Sequence, residues 1–225
     1  MNKETRAFNF EVRAEQNEQH GTFITGTPIV FNQEEQLWDP IIGNYREEIA
    51  PEALSETDLK DVRFLIGHNT GMVPLARSRN NNENSTMQMQ VTDRGMEIRV
   101  DLDTENNADS RTLYSAVRRG DISGMSFMFT VDKDAWVDID TDNPKRSITG
   151  IRKVYEVSAV AFPAYEGTDI QAASEGNAPE GARASLESAR EQLAEERAAE
   201  AEQERRRAVL ERFNNLAQEV KHDEV

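Results

Sequence analysis

The chain has 225 residues, no cysteine and a formal net charge of −16. Its length suits one medium-sized domain with an appendage, and the lack of cysteine excludes disulfides, thiolate nucleophiles and cysteine-ligated zinc. Nucleic-acid binding needs a cationic face, so we expect no nucleic-acid partner. The sequence has no apolar stretch long enough to cross a membrane and no apolar leader at its polar N-terminus. We therefore expect no membrane partner and a cytoplasmic location.

The chain begins with predicted β-structure. Apolar and polar residues alternate over 8–13, which indicates a half-buried strand. A polar turn over 16–21 precedes a second predicted strand over 22–31. Gly26 and Pro28 interrupt this second strand, and we expect a bulge or a break there.

The central part of the chain mixes strands and helices. A short helix is predicted to begin near Pro51, because proline is favoured in a first helical turn. Residues 62–68 form an apolar, strand-like run. Alternating residues over 87–91 and 96–102, on either side of a turn, predict a hairpin. Apolar residues at helical spacing predict a helix over 109–119.

Two further strands are predicted over 126–131 and 154–162. Strands with a few inserted helices indicate an α+β fold. We expect a mostly antiparallel, β-barrel-like sheet that is flanked by a few helices and followed by a long C-terminal helical tail.

Composition divides the chain into three parts. Residues 1–170 hold both tryptophans and nearly all of the phenylalanines, and they form the predicted globular domain. Residues 171–182 are small, polar and rich in helix breakers, which is typical of a flexible linker. Residues 183–225 contain strong helix formers and neither glycine nor proline. We expect a charged, solvated helix whose last turns can dock on another surface.

Three side chains are candidates for a hydrolytic site. Ser126 follows a glycine-rich bend and begins an apolar run, where its hydroxyl can project into a cleft. His68 ends a strand-like run, and imidazole titrates near neutrality, which suits a general base. Glu156 interrupts an apolar strand, where a carboxylate is costly unless it is paired, and it could orient the imidazole. A purely structural role stays open for each of them.

Other candidates have weaker support. Ser123 is a rival nucleophile that suits the turn better, and Arg77 and Arg152 could stabilise an anion, although surface ion pairs are the commoner role. The aspartates of 138–142 imitate a calcium loop but lack its turn glycine and bidentate glutamate. With one well-placed histidine, a metal-dependent hydrolase is disfavoured. We expect neither a metal nor a cofactor.

Five segments, 24–32, 45–54, 66–77, 123–129 and 156–164, occur in one order along the chain. Together they resemble the prohead (capsid-maturation) proteases of tailed bacteriophages, which are distantly akin to herpesvirus assemblins. The resemblance covers roughly residues 5–170. It departs from the family pattern at Glu52 and Leu54, where glycine and phenylalanine are usual, at Met128, where a glycine is usual, and at Asn69, where an aspartate is usual.

The resemblance implies a serine peptidase on a β-barrel flanked by helices, with Ser126 as nucleophile, His68 as base and Glu156 as the acidic third member. It implies that the substrates are the scaffolding segment of the major capsid protein and the protease itself. It also implies a location inside the immature prohead, within the host cytoplasm. We expect a homo-oligomer, with a dimer as one form, and a tail that tethers the enzyme and is trimmed by self-cleavage. A catalytically silent scaffolding protein that acts through its helical tail stays open as the alternative.

Overall fold

The structure is a computed structural model that describes residues 3–8, 12–17, 21–161 and 180–222, without the side chains of residues 7, 8, 17 and 213–222. The strands of these ranges are β1 (Glu4–Phe8), β2 (Arg13–Asn17), β3 (Gly21–Val30), β4 (Glu35–Asp39), β5 (Gly43–Ile49), β6 (Arg63–Ile66), β7 (Ala76–Arg77), β8 (Met87–Val91), β9 (Gly95–Asp101), β10 (Gly124–Val137) and β11 (Lys145–Val160). The helices are α1 (Ala108–Arg119), α2 (Glu180–His222) and two 3-10 helices (Pro51–Leu54 and Arg79–Asn81).

The strands form two sheets. The larger sheet has the order β1-β10-β11-β5-β4, and β6 joins a different part of β11 and also pairs with β7. All of its pairs are antiparallel except β11 with β5 and β11 with β6. The smaller sheet is antiparallel, with the order β2-β3-β9-β8. This arrangement confirms the predicted α+β fold with a mostly antiparallel sheet and a C-terminal helix, and the described strands form no closed barrel.

One apolar core joins both sheets to α1 and to the first 3-10 helix. Leu113 and Val117 bury one face of α1 against it, as the helical spacing predicted. The side chain of Asn107 accepts hydrogen bonds from the first turn of α1, and Gly120, at φ 81°, ends the helix in the left-handed conformation that glycine adopts most readily. The predicted break in the second strand is also confirmed, because the β3–β9 register shifts between Gly26 and Ile29.

Several strands are longer than predicted or were not predicted. β10 and β11 extend well beyond the expected 126–131 and 154–162 as a long hairpin, and residue 162 lies outside the described residues. The outer halves of both strands are largely polar, so the apolar pattern that predicted the inner halves did not extend over them. The sequence also gave no signal for β4 and β5, whose residues are largely polar. Of the strand predicted over 8–13, residues 9–11 lie outside the described residues, and the flanking residues belong to β1 and β2.

A group of five charged residues, four of them buried, joins β1 to the rest of the larger sheet and is here called the ionic cluster. Arg6 donates to Glu47 and, at 3.0 Å, to Glu4. Arg146 donates to Glu47 at 2.9 Å, to Glu4 at 3.0 Å and to Asp134 at 2.6 Å. Burial alone disfavours the charged forms, but the opposite charges outweigh it: they raise the pKa of Arg6 and Arg146 and lower that of Glu47.

We expect Arg146→Ala to lower the free energy of unfolding by about 3–5 kcal/mol, because it takes the cation from Asp134 and leaves Glu4 and Glu47 with Arg6 alone. Arg146 is 1% exposed. The matched control is Arg152→Ala on the same strand, whose bridge to Asp132 is solvated; its cost is expected to stay within about 1 kcal/mol. Urea denaturation followed by circular dichroism compares the two, and equal costs would contradict this account of the cluster.

The first turns of α2 pack against the domain. Leu186 is buried, the indole N–H of Trp136 donates to the hydroxyl of Ser185 at 2.8 Å, and Arg183 donates to the buried Asp39 at 2.6 Å. The helix begins at Glu180, ahead of the predicted start at 183. The sequence predicted that the last turns of the helix dock on another surface. The side chains of residues 213–222 in those turns lie outside the described residues.

Most of α2 beyond its first turns is exposed to solvent, as the charged composition predicted. Val209 and Leu210 are among the exposed apolar residues. None of the helices in the described ranges combines the length and the apolar character that a membrane span needs.

Candidate active site

The register of β10 and β11 places three polar side chains on one face of the larger sheet. Ser126 lies directly opposite Ser158, and Met128 lies opposite Glu156. Residues two apart on a strand share a face, so Ser126, Ser158 and Glu156 point to the same side. The alternate residues, among them Phe127 and Val157, point into the apolar core. Because side chains alternate between the two faces of a strand, the polar side chains of the site lie on one face of the sheet and the core residues on the other.

His68 reaches this polar face from the end of β6. β6 runs parallel to β11 and ends at Ile66, after which Gly67 (φ 57°) and His68 (φ 58°) both adopt left-handed backbone conformations. Such a conformation is strained for a residue with a Cβ atom. The backbone N–H of His68 donates to the hydroxyl of Ser158 at 3.0 Å, which fixes the turn against β11.

The imidazole of His68 and the carboxylate of Glu156 are in direct contact. Nδ1 of His68 lies 2.6 Å from Oε1 of Glu156. A carboxylate only accepts hydrogen bonds, so the ring donates through Nδ1 and keeps Nε2 for a second partner. The ring is partly accessible, with 25% of its side chain exposed, whereas the Glu156 side chain is 3% exposed.

Both carboxylate oxygens of Glu156 have partners. The hydroxyl of Ser158 donates to Oε2 at 2.5 Å while the imidazole occupies Oε1. A buried carboxylate is costly without such partners. The carboxylate that interrupts an apolar strand is thus paired, and its partner is the histidine that the sequence suggested.

Ser126 lies opposite Ser158, which contacts both members of this pair, and in the described residues Ser126 itself is not hydrogen-bonded to the pair. Its side chain is fully buried, and its hydroxyl donates to the backbone carbonyl of Arg6 in β1 at 2.7 Å. Directly opposed residues have Cβ atoms about 4.5–5.5 Å apart, so Ser126 is one cross-strand step from Ser158. The sequence predicted that this hydroxyl projects into a cleft, whereas the side chain is buried where β1 pairs with this end of β10.

The secondary candidates occupy ion pairs. Arg77 binds Asp61 at 2.7 Å, and Arg152 binds Asp132 at 2.7 Å, so both arginines have the commoner role. Within the described ranges, no group of three or more histidine, aspartate or glutamate residues is suited to hold a metal ion.

Two contributors to the site were missed by the sequence reasoning. Ser158 joins the backbone of His68 to the carboxylate of Glu156, and its position two residues after Glu156, on the same strand face, was an available signal. Arg6 contributes its backbone carbonyl. Every residue has this group, so the residue type gave no signal for it.

Comparison with known protein families gave a match. The family of caudovirus prohead serine proteases matches residues 8–180, a range that contains every residue of the site except Arg6. No curated protein and no solved structure matches the chain. Because the match covers most of the chain, the protein belongs to the prohead serine protease family of tailed bacteriophages.

Proposed function

We propose that Ser126, His68 and Glu156 form the catalytic triad of this capsid-maturation serine peptidase. The observation that carries the proposal is the 2.6 Å contact between Nδ1 of His68 and the buried carboxylate of Glu156. This contact fixes the tautomer and leaves Nε2 as the proton acceptor. The serine on the same face of the neighbouring strand supplies the nucleophile.

In the proposed mechanism, the hydroxyl oxygen of Ser126 attacks the carbonyl carbon of the scissile peptide bond. His68 takes the hydroxyl proton through Nε2 and then gives it to the leaving amine, and water later hydrolyses the acyl-enzyme. Glu156 orients the imidazole and stabilises the imidazolium that forms. Backbone N–H groups stabilise the tetrahedral oxyanion, and each such donor contributes about 3–4 kcal/mol.

The described conformation has to change before this reaction begins. The hydroxyl of Ser126 must leave the carbonyl of Arg6 and turn towards Nε2 of His68. A hydrogen bond of this kind has a net value of about 1 kcal/mol, so breaking it costs little beside the barrier of the reaction itself.

Membership of the family places the peptidase with capsid proteins inside the prohead in the host cell. The proposed substrates are the scaffolding segment of the major capsid protein and the protease itself. The proposed organisation is a protease domain over 1–170, a linker, predicted over 171–182, that ends where α2 begins at Glu180, and a helical tail, predicted over 183–225, that tethers the enzyme and is removed by self-cleavage. A homo-oligomer, such as a dimer, completes the proposal.

Hydrolysis by the purified chain tests the proposed function. We expect it to cleave an unfolded protein such as casein, to produce fragments of itself, and to react with a fluorophosphonate probe that labels activated serines. A chelator is expected to leave the cleavage unchanged. The absence of both fragments and labelling would favour the scaffolding alternative, and loss of cleavage on chelation would indicate a metal-dependent hydrolase.

A further inference from the structure

Ser158 is a fully buried residue with two partners in the candidate active site. Its hydroxyl oxygen accepts the backbone N–H of His68 at 3.0 Å, and the hydroxyl donates to Oε2 of Glu156 at 2.5 Å. A serine hydroxyl has one hydrogen to donate, and an ionised carboxylate can only accept. The direction of both hydrogen bonds is therefore fixed, and one side chain contacts both members of the histidine–glutamate pair.

We propose that Ser158 is a positioning residue of the peptidase, which holds the imidazole and the carboxylate of the triad in the alignment that proton transfer needs. This inference rests on the proposed function, because it concerns how His68 is held ready to act as a general base. Ser158 acts through His68 and Glu156 and has no contact of its own with the substrate.

The first contribution of Ser158 is to the turn that carries the imidazole. β6 ends at Ile66, and Gly67 and His68 follow with φ values of 57° and 58°. A left-handed conformation is unfavourable for a residue with a Cβ atom, and it persists only where the surrounding structure holds it. Two hydrogen bonds to β11 hold it here, from the N–H of Gly67 to the carbonyl of Ala159 at 3.0 Å and from the N–H of His68 to the hydroxyl of Ser158. Only the second of them uses a side chain, so a substitution can remove it.

The second contribution is to the carboxylate of Glu156. Its Oε1 contacts Nδ1 of His68 at 2.6 Å, while the hydroxyl of Ser158 donates to Oε2. A carboxylate with a partner on each oxygen cannot turn about its last bond without breaking one of these contacts. The Glu156 side chain is 3% exposed, so loss of the hydroxyl takes a donor from a buried oxygen, which is unfavourable. The direction in which the ring donates through Nδ1, and with it the orientation of Nε2, depends on this carboxylate.

The parallel register of β6 with β11 explains why one serine reaches both partners. Leu65 lies opposite Ser158 and Ile66 lies opposite Ala159, so the turn that follows Ile66 stands next to this end of β11. Ser158 and Glu156 are two residues apart and share a face of the strand. A short hydroxyl side chain at this position therefore contacts the turn through its oxygen and the carboxylate through its hydrogen.

Ser158→Ala tests the inference, because alanine removes the hydroxyl and adds no atom to a buried position. We expect kcat for a casein-derived peptide to fall about ten- to hundredfold, since a small misplacement of a catalytic group has an effect of this size. KM is expected to stay within about twofold of its natural value, because the lost interactions do not involve the substrate. Circular dichroism checks that the variant is folded. An unchanged kcat overturns the inference, and so does a fall of about 10⁴-fold or more, which is the loss expected for a nucleophile.

The matched control is Ser78→Ala. Ser78 is also fully buried, and its hydroxyl accepts the backbone N–H of Val62 at 2.9 Å, next to the other end of β6. Both substitutions remove a hydroxyl that accepts a backbone N–H, so we expect similar losses of stability in urea denaturation. Ser78→Ala is nevertheless expected to keep kcat within about threefold of its natural value. Equal losses of kcat in the two variants would show that hydrolysis follows stability alone, and the inference would be wrong.

A second measurement does not depend on activity. NMR spectroscopy of protein with isotope-labelled histidine detects the ring proton on Nδ1 of His68, and His68→Gln identifies this signal among the three histidines of the chain. We expect exchange of this proton with water to be about tenfold or more faster in Ser158→Ala, because the carboxylate that accepts it is held less firmly. Ser78→Ala is expected to leave the exchange rate unchanged.

The two measurements separate failure of the inference from failure of the proposed function. If the natural chain leaves casein intact, the proposed function fails, and the proton exchange alone decides the inference. If the natural chain shows no proton on Nδ1, the histidine–glutamate pair is contradicted, and both proposals fail with it. Equal exchange rates in the natural chain and in Ser158→Ala overturn the inference alone.

Discussion

Ser126→Ala is expected to reduce peptide hydrolysis by about 10⁴- to 10⁶-fold while the chain stays folded. The substitution removes the nucleophile and one hydrogen bond to the carbonyl of Arg6. That hydrogen bond has a net value of about 1 kcal/mol, so the loss of activity greatly exceeds the loss of stability. The measurement is the rate of casein cleavage, with circular dichroism and urea denaturation as checks on folding.

The matched control for this variant is Ser123→Ala. Ser123 lies in the turn just before β10, outside the strand that carries the proposed nucleophile. We expect it to retain cleavage within about threefold of the natural chain, because small surface changes usually alter stability by no more than about 0.5 kcal/mol. Loss of cleavage in Ser123→Ala and its retention in Ser126→Ala would move the nucleophile to the rival serine.

Glu156→Gln is expected to lower kcat by about 10⁴-fold, because an amide in place of the carboxylate no longer holds the histidine in the tautomer that accepts a proton at Nε2. The glutamine is close in size to the glutamate, and the hydroxyl of Ser158 can still donate to its side-chain oxygen. The site is therefore expected to keep its packing. The measurement is kcat and KM with casein or a casein-derived peptide.

A carboxylate elsewhere on the hairpin serves as the control for Glu156→Gln. Asp132 on β10 makes a solvated bridge to Arg152, and Asp132→Asn is expected to leave kcat within about threefold of its natural value. A Glu156→Gln protein that keeps more than about a tenth of the natural kcat would show that the carboxylate has a structural role only.

The regular elements that the sequence predicted best are those that bury apolar residues at a clear period. The helical spacing of Leu113 and Val117 identified α1, and alternation identified the β8–β9 hairpin. β5 escaped notice because its buried set combines Tyr45 and Ile49 with the charged Glu47. The partners that make this burial possible are Arg6 and an arginine of β11, and both are remote in the sequence.

The site shows the same division between local pattern and distant contact. A carboxylate within an apolar strand must find a partner, and this rule pointed from Glu156 to a histidine such as His68. The cost of an unpaired carboxylate does not predict which strand pairs with β10 beside Ser126. The hydroxyl of Ser126 donates to a carbonyl of β1, a short strand about 120 residues earlier in the chain.

Residue type and period by themselves determined the α+β class, the charged helical tail, the lack of disulfides and the set of candidate side chains, because these follow from local propensity and from the need to bury apolar surface. Only the tertiary structure decided that His68 touches Glu156, that Ser158 joins them and that Ser126 is hydrogen-bonded to β1. The physical reason is that strand pairing and buried charge networks bring together groups from distant parts of the chain. The energy of these interactions depends on distances in space, and the local pattern of residue types does not give those distances.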